Sequence, residues 1–262
     1  MQLPLYKIDA FTDRLFGGNP ACVVPLQEWL EDALLQQIAR ENAVPETAFF
    51  IPDGNRFALR WFTPDLEMDL CGHATLATAH ALKTILHHPE ETIVFTSRSG
   101  PLEVSVHNGL YTLNFPSRNP VPAPLPDIIR QALDRQPRAV LKARDYVLVY
   151  DSEADVRDIQ INRSIFDQIN LDPGGMIITA KGEHCDFVSR FFTPQTVMFE
   201  DPVTGSAHCS LIPYWAAQLG KKEMEAVQLS ERTGRLHCVD NGDRVLIAGQ
   251  ARTYAIGTLW TE

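Results

Sequence analysis

The chain has 262 residues, of which 45% are hydrophobic and 21% charged, with a formal net charge of −10. That length suits one large domain or two smaller lobes, each with a real core. An acidic chain without a basic run is a poor match for nucleic acid or an anionic membrane, although a local site can still hold a small anion. The opening "MQLPLYKIDAF" lacks the basic and apolar blocks of a signal peptide, and no apolar run reaches the length of a membrane span. Five cysteines, Cys22, Cys71, Cys185, Cys209 and Cys238, show no paired spacing. They point to a reduced, cytoplasmic setting.

In chain order, "TAFFI" and "FALRWF" are short β-rich runs joined by the turn "PDGN". "GHATLATAHALKTIL" has Ala, Leu and Ile at helical spacing and predicts a buried helix. "LEVSVHNGLYTLNF" alternates around Asn108-Gly109, a hairpin signal. "FPSRNPVPAPLPD" holds five prolines and reads as a linker between lobes. Beyond it, "MIITA", "HCDFVSRFF", "SAHCSLIPYWAAQLG" and "VLIAGQARTYAIGTLW" repeat the earlier order, with Pro213 predicting a kink in the second helix.

The order repeats because the chain repeats. Phe62-Thr63-Pro64 and Phe192-Thr193-Pro194 are 130 residues apart, and Gly72 and Gly205 are 133 apart. "SGPLEVSVHNGLYTL" and "TGRLHCVDNGDRVLI" extend the match, Gly100 to Gly234 and Gly109 to Gly242. Two blocks in one order at nearly one offset indicate a duplicated lobe. The expectation is an α+β fold of two pseudo-equivalent lobes, each a curved sheet or barrel around a central helix. The boundary falls at residues 1–116 and 117–262, with the last strand able to cross back to the first lobe, and the natural ligand site lies between the lobes.

"DLCGHATLATAHAL" carries the chemistry question. A helix start leaves unpaired N–H groups that, with the helix dipole, attract anions, and glycine lets a ligand come close. Gly72 in "CGHAT" and Gly205 in "TGSAH" are therefore candidate anion cradles; the competing reading is that small residues merely permit tight packing. The metal reading fails on spacing, since Cys71 and His73 have no second ligand pair. His73 and His80, seven apart, can share a helix face, but no carboxylate accompanies them. His87-His88 reads as a solvated helix end, and a cysteine nucleophile ranks low because neighbouring positions at a helix start seldom face one another. No Gly-x-Ser-x-Gly elbow is present.

"IDAFTDRLFGGNPACVV", "PETAFF", "FTPDLEMDLCGHATLATAHAL" and "FEDPVTGSAHCSLIPYWA", taken together, resemble the phenazine-biosynthesis PhzF-like isomerase family, within the wider diaminopimelate epimerase fold. The resemblance covers nearly the whole chain. It implies the duplicated fold and a reaction that uses no metal and no organic cofactor. It puts the catalytic acid/base on Glu46, further polar site residues on His73, Asp201 and Ser206, and backbone donors on Gly72 and Gly205. Asn19 of "FGGNPA" either shapes the site or belongs to an ordinary turn. Related racemases use one cysteine per lobe; Cys71 can stand for the first, but "EDPVTG" stands where the second belongs, which disfavours a two-thiol mechanism and leaves Cys71 as a small buried residue.

The apolar flanks of Glu46 provide the desolvation that a carboxyl needs to exchange protons near neutral pH. His73 can bond substrate or pass a proton on. Asp201 can orient an amino group, hold His73, carry a second proton, or simply cap a helix. The expected activity is therefore proton movement between carbons of a small amino- or carboxyl-bearing substrate. The alternative is a non-catalytic small-anion-binding protein on the same fold. A homodimer is expected from the family likeness only.

Overall fold

The structure is a computed structural model and describes residues 1–172 and 174–261. The chain folds as two units: Met1–Phe115 together with the residues from Ile247 onward, and Pro116–Leu246.

The first unit begins with β1 (Gln2–Ala10), β2 (Asn19–Pro25), α1 (Asp32–Asn42), β3 (Glu46–Asp53), β4 (Arg56–Phe62), β5 (Glu67–Met68) and α2 (Gly72–His80). One π-helical turn, Ala81–Ile85, extends α2 before β6 (Thr92–Ser97), β7 (Gly100–His107) and β8 (Leu110–Pro116). In the second unit come β9 (Val121–Pro122), α3 (Asp127–Ala132), β10 (Ala139–Lys142), β11 (Tyr146–Val149), α4 (Glu153–Asp158) and α5 (Arg163–Phe166). They are followed by β12 (Met176–Lys181), β13 (Phe187–Phe192), β14 (Glu200–Asp201), α6 (Gly205–Leu219), β15 (Glu223–Gln228), β16 (Gly234–Asn241) and β17 (Arg244–Gly249). The last strand, β18 (Ala251–Trp260), returns to the first unit and pairs with β1.

The duplication is visible strand by strand. In the first unit β2 runs parallel to β3, β3 antiparallel to β4, β4 antiparallel to β5 and parallel to β6, and β6 antiparallel to β7. In the second, β11 runs parallel to β12, β12 antiparallel to β13, β13 antiparallel to β14 and parallel to β15, and β15 antiparallel to β16. Side chains follow the same rule. Arg60 Nε lies 2.7 Å from Glu67 Oε1, and Arg190 Nε lies 2.7 Å from Glu200 Oε1. Each guanidinium also sits over the phenylalanine two residues on, Phe62 or Phe192.

The central helices are buried all round rather than on one stripe, as a helix enclosed by sheet should be. Every residue of α2 is buried, as is every residue of α6 from Gly205 to Pro213. Helix α2 packs on β1, β2, β3 and β18, and α6 on β15 and β16. Pro213 does not end α6, which runs unbroken to Leu219. Proline lacks the N–H that would bond the carbonyl of Cys209; the Arg118 N–H donates to that carbonyl instead, at 2.9 Å. Asn108 and Gly109 take φ of 51° and 76° in the β7–β8 hairpin, the double left-handed turn that the dipeptide favours. The proline-rich segment is not all linker, since Val121–Pro122 pairs with β10. Among the described residues, no helix is long and apolar enough to cross a membrane.

Candidate functional site

Glu46 is the first residue of β3, opposite Ala21 of the parallel strand β2. His73 is the second residue of α2. These two positions meet: His73 Nε2 lies 2.9 Å from Glu46 Oε2, with the side chains 4% and 14% exposed. The contact is one of ion-pair distance, and neither atom makes a hydrogen bond of good geometry among the described residues. On the other edge of the ring, Nδ1 faces Asn19 Nδ2 at 3.1 Å and Cys71 Sγ at 3.6 Å. Asn19 and Cys71 are both buried. Gly72, between Cys71 and His73, opens the helix, so its N–H is among those that find no partner within α2.

Burial pushes the Cys71 thiol up to about 11. Burial also disfavours charge on His73, while negative charge at Cys71 and Glu46, with hydrogen bonds to both, carries its pKa well above the ordinary histidine value. The Cys71 share of that effect requires a thiolate, which a thiol near 11 does not supply at neutral pH. With the thiol neutral, the Glu46 carboxylate alone pulls the ring toward the cation, against the burial that disfavours it.

Donor atoms of Glu46, Cys71 and His73 lie within 4.8 Å of one another, a spacing that a metal ion could bridge. Of the ring nitrogens, Nδ1 faces the Asn19 amide, and Nε2 lies beside Glu46, itself a member of this group.

His80 belongs elsewhere. Its Nδ1 lies 3.0 Å from Tyr111 Oη and its Nε2 lies 2.9 Å from Thr253 Oγ1. Burial, aided by Arg252, lowers its pKa to about 4, so it is a neutral anchor of α2 rather than a site residue.

In the second unit, Asp201 lies on β14 opposite Phe191, and its Oδ2 accepts from the Thr204 hydroxyl at 2.5 Å. Its backbone carbonyl accepts from Gln228 Nε2, whose side-chain oxygen in turn accepts from the Thr204 N–H. Gly205 opens α6, and Ser206 follows it. The Ser206 Oγ accepts from Arg144 Nη2 at 3.0 Å. Arg144 Nε reaches Asp145 Oδ1 at 3.2 Å, and the same oxygen accepts from the Gly175 N–H at 2.9 Å. His208, one turn into α6, bonds the Thr204 carbonyl through Nδ1, and burial lowers its pKa to about 4.

The structure therefore gathers Glu46, His73 and Asn19 at the start of α2, with Gly72, and Asp201 and Ser206 at the start of α6, with Gly205. Sequence reasoning missed Arg144, which lies in no motif: it sits in the turn between β10 and β11, and only folding brings it to Ser206.

The repeat shows what differs between the copies. Strand register places Gly175 where the first unit has Glu46, each standing just before the residue opposite the last position of β4 or β13. The glycine-plus-one position is His73 in one copy and Ser206 in the other.

Residues 8–257 match the PhzC-PhzF family, described as phenazine biosynthesis-like protein, and the chain belongs to that family. An uncharacterised isomerase of Pseudomonas aeruginosa is 45% identical over 99% of both chains. A crystal structure of a PhzF-family phenazine biosynthesis protein from Enterococcus faecalis is 44% identical, with a TM-score of 0.94 over all of both chains. A hydroxyproline epimerase from Agrobacterium vitis shares the fold, with 11% identity and a TM-score of 0.65 over 98% of this chain and 92% of that one.

Proposed function

We propose that this protein moves a proton between carbons of a small amino- or carboxyl-bearing substrate, without metal or organic cofactor, and that Glu46 is the proton carrier. Family and fold support an activity of the isomerase or epimerase type. The observation that carries the finer reading is the contact of Glu46 with His73, enclosed and 2.9 Å apart. A carboxylate that takes a proton from carbon must also give it back, and a histidine beside the same oxygen can steady the carboxylate while it is charged. Asp201 serves as the second polar group, orienting an amino group or carrying a proton. Ser206 with Arg144, and the backbone donors at Gly72 and Gly205, would hold a carboxylate and stabilise charge as the proton leaves.

The Arg144–Ser206 contact also favours a second reading, a small-anion-binding protein without turnover. The proposal includes a cytoplasmic protein acting on a free small molecule rather than on nucleic acid or membrane; five free cysteines and a net charge of −10 support it. Exposed Tyr254, Ile256 and Trp260, alternating along β18, support a homodimer.

The deciding experiment incubates the protein in D₂O with a panel of small amino and cyclic carboxylates, including a dihydro-hydroxyanthranilate, and follows loss of C–H signals by NMR. Deuterium incorporation that vanishes in Glu46→Gln is expected. Incorporation that survives in that variant overturns the role of Glu46. Ligand-induced shifts with no exchange favour the binding protein.

A further inference from the structure

The His73 ring has donors on one edge and an acceptor on the other. Nδ1 faces the Asn19 amide nitrogen at 3.1 Å and Cys71 Sγ at 3.6 Å, while Nε2 faces Glu46 Oε2 at 2.9 Å. An amide –NH₂ only donates, so the nitrogen it bonds must offer a lone pair. The Cys71 sulfur keeps its proton at neutral pH and is a second, weaker donor to the same nitrogen. A neutral imidazole with its lone pair on Nδ1 carries its proton on Nε2, the nitrogen on the Glu46 side of the ring. The titratable groups that the structure sets against the ring are Glu46 from β3 and Cys71 from the residue before α2.

Asn19 is itself held firmly. It opens β2 opposite Ala10 of β1 and is 0% exposed. Gly18 before it has φ of +62°, and a Cβ there would stand 2.0 Å from the Ala10 carbonyl oxygen. The buried Asp9 accepts from the Phe16 N–H at 2.9 Å and ties down the same loop. The "FGGN" stretch thus delivers a rigid amide to one ring nitrogen.

We propose that Asn19 is a positioning residue: its buried amide holds His73 in the Nε2–H tautomer, with that nitrogen beside Glu46, and opposes the second ring proton on Nδ1. In the imidazolium, an Nδ1–H would meet the hydrogens of the amide, so the carboxylate's pull toward the cation is checked from the far side of the ring. Asn19 acts through His73 and needs no contact with substrate. This inference rests on Glu46 and His73 as the working pair.

The test is ¹⁵N NMR of the full-length labelled protein at neutral pH without substrate, with His73 assigned by comparison with His73→Gln. The expected spectrum shows Nδ1 unprotonated and Nε2 protonated. An Nδ1–H tautomer or a doubly protonated ring in the unaltered protein overturns the proposal, and this arm needs no variant to fold. In Asn19→Asp the new carboxylate accepts from Nδ1–H, so the ring should become doubly protonated; an unchanged ring in a folded variant also overturns it. A purely structural Asn19 would move neither signal. Because no turnover is read, failed deuterium exchange would count against the proton-transfer reading and leave the tautomer result standing.

Discussion

Acid should loosen the helix that carries His73, and His80 sets the pH at which this happens. His80 is buried at the end of α2 between the hydroxyls of Tyr111 and Thr253. Its pKa falls from 6.5 to about 4, through burial first and the Arg252 charge second. The unfolded chain therefore takes up the proton near 6.5, whereas the folded chain resists it until about 4. This stability is fully present above 6.5 and is lost as pH falls from there toward 4. A drop of that size is worth about 3 kcal/mol, with a slope of up to ~1.4 kcal/mol per pH unit. His208 in the second unit is lowered to about 4 by the same burial and adds a similar amount over the same range. Two such losses are comparable to a large part of the ~5–15 kcal/mol that holds a typical fold. Asp155 and Asp186 have lowered pKa values and act only below the ordinary carboxylate range, so they do not confuse the window. Urea unfolding followed by tryptophan fluorescence, at half-unit pH steps across that window, gives the slope. His80→Gln should remove about half of it. A flat profile in the parent protein, or an unaltered slope in that variant, would refute the assignment of neutral, buried histidines.

Three other outcomes follow from the same geometry. Glu46→Gln keeps an acceptor opposite His73 Nε2, so its Tm should stay within a few degrees while proton exchange falls by ~10²-fold or more; a melting shift large enough to explain the loss would contradict this. Arg144→Gln removes the charged donor to Ser206, which should raise KM for carboxylate substrates by roughly 10–100-fold with a smaller change in kcat; equal loss for carboxylates and their amides would point to damage at Asp145 instead. Gly18→Ala should destabilise the protein by more than ~2 kcal/mol, because the new Cβ strikes the Ala10 carbonyl, whereas Gly109→Ala, with open space around it, should lose only about 1 kcal/mol. Parallel denaturant titrations would read both, and similar midpoints would dismiss the steric argument.

Much of the scaffold could be read in advance because duplication leaves an internal standard. Phe62 and Phe192, Gly72 and Gly205, and the Asn108-Gly109 turn each mark the same place twice or carry an unambiguous local signal. What escaped was set by tertiary partners. Pro213 predicts a kink, but not that the Arg118 N–H would satisfy the carbonyl it leaves bare. Helices α3, α4 and α5 have six, six and four residues, too few for a helical period to show. His73 and His80 are alike in type and lie on one helix, yet one meets a carboxylate and an amide and the other meets two hydroxyls. No spacing rule separates them, since their partners come from β2, β3, β8 and β18.

The two copies of the scaffold have kept the same frame and diverged where the chemistry sits. Both retain the arginine–glutamate brace, Arg60 with Glu67 and Arg190 with Glu200, at equal distance and over equivalent phenylalanines. Both also aim a nitrogen donor from the start of a strand, or the turn before it, at the residue after the helix-opening glycine: Asn19 at His73, Arg144 at Ser206. The identities differ in a way that divides the work. In the first copy a neutral amide faces an imidazole, and a carboxylate occupies the neighbouring strand position. In the second a fixed cation faces a hydroxyl, and that strand position is Gly175, with no side chain to titrate. A proton needs groups that change charge, whereas an anion needs donors that do not. Under the proposed function the first copy suits the former and the second the latter, an asymmetry that binding a small anion alone would not require.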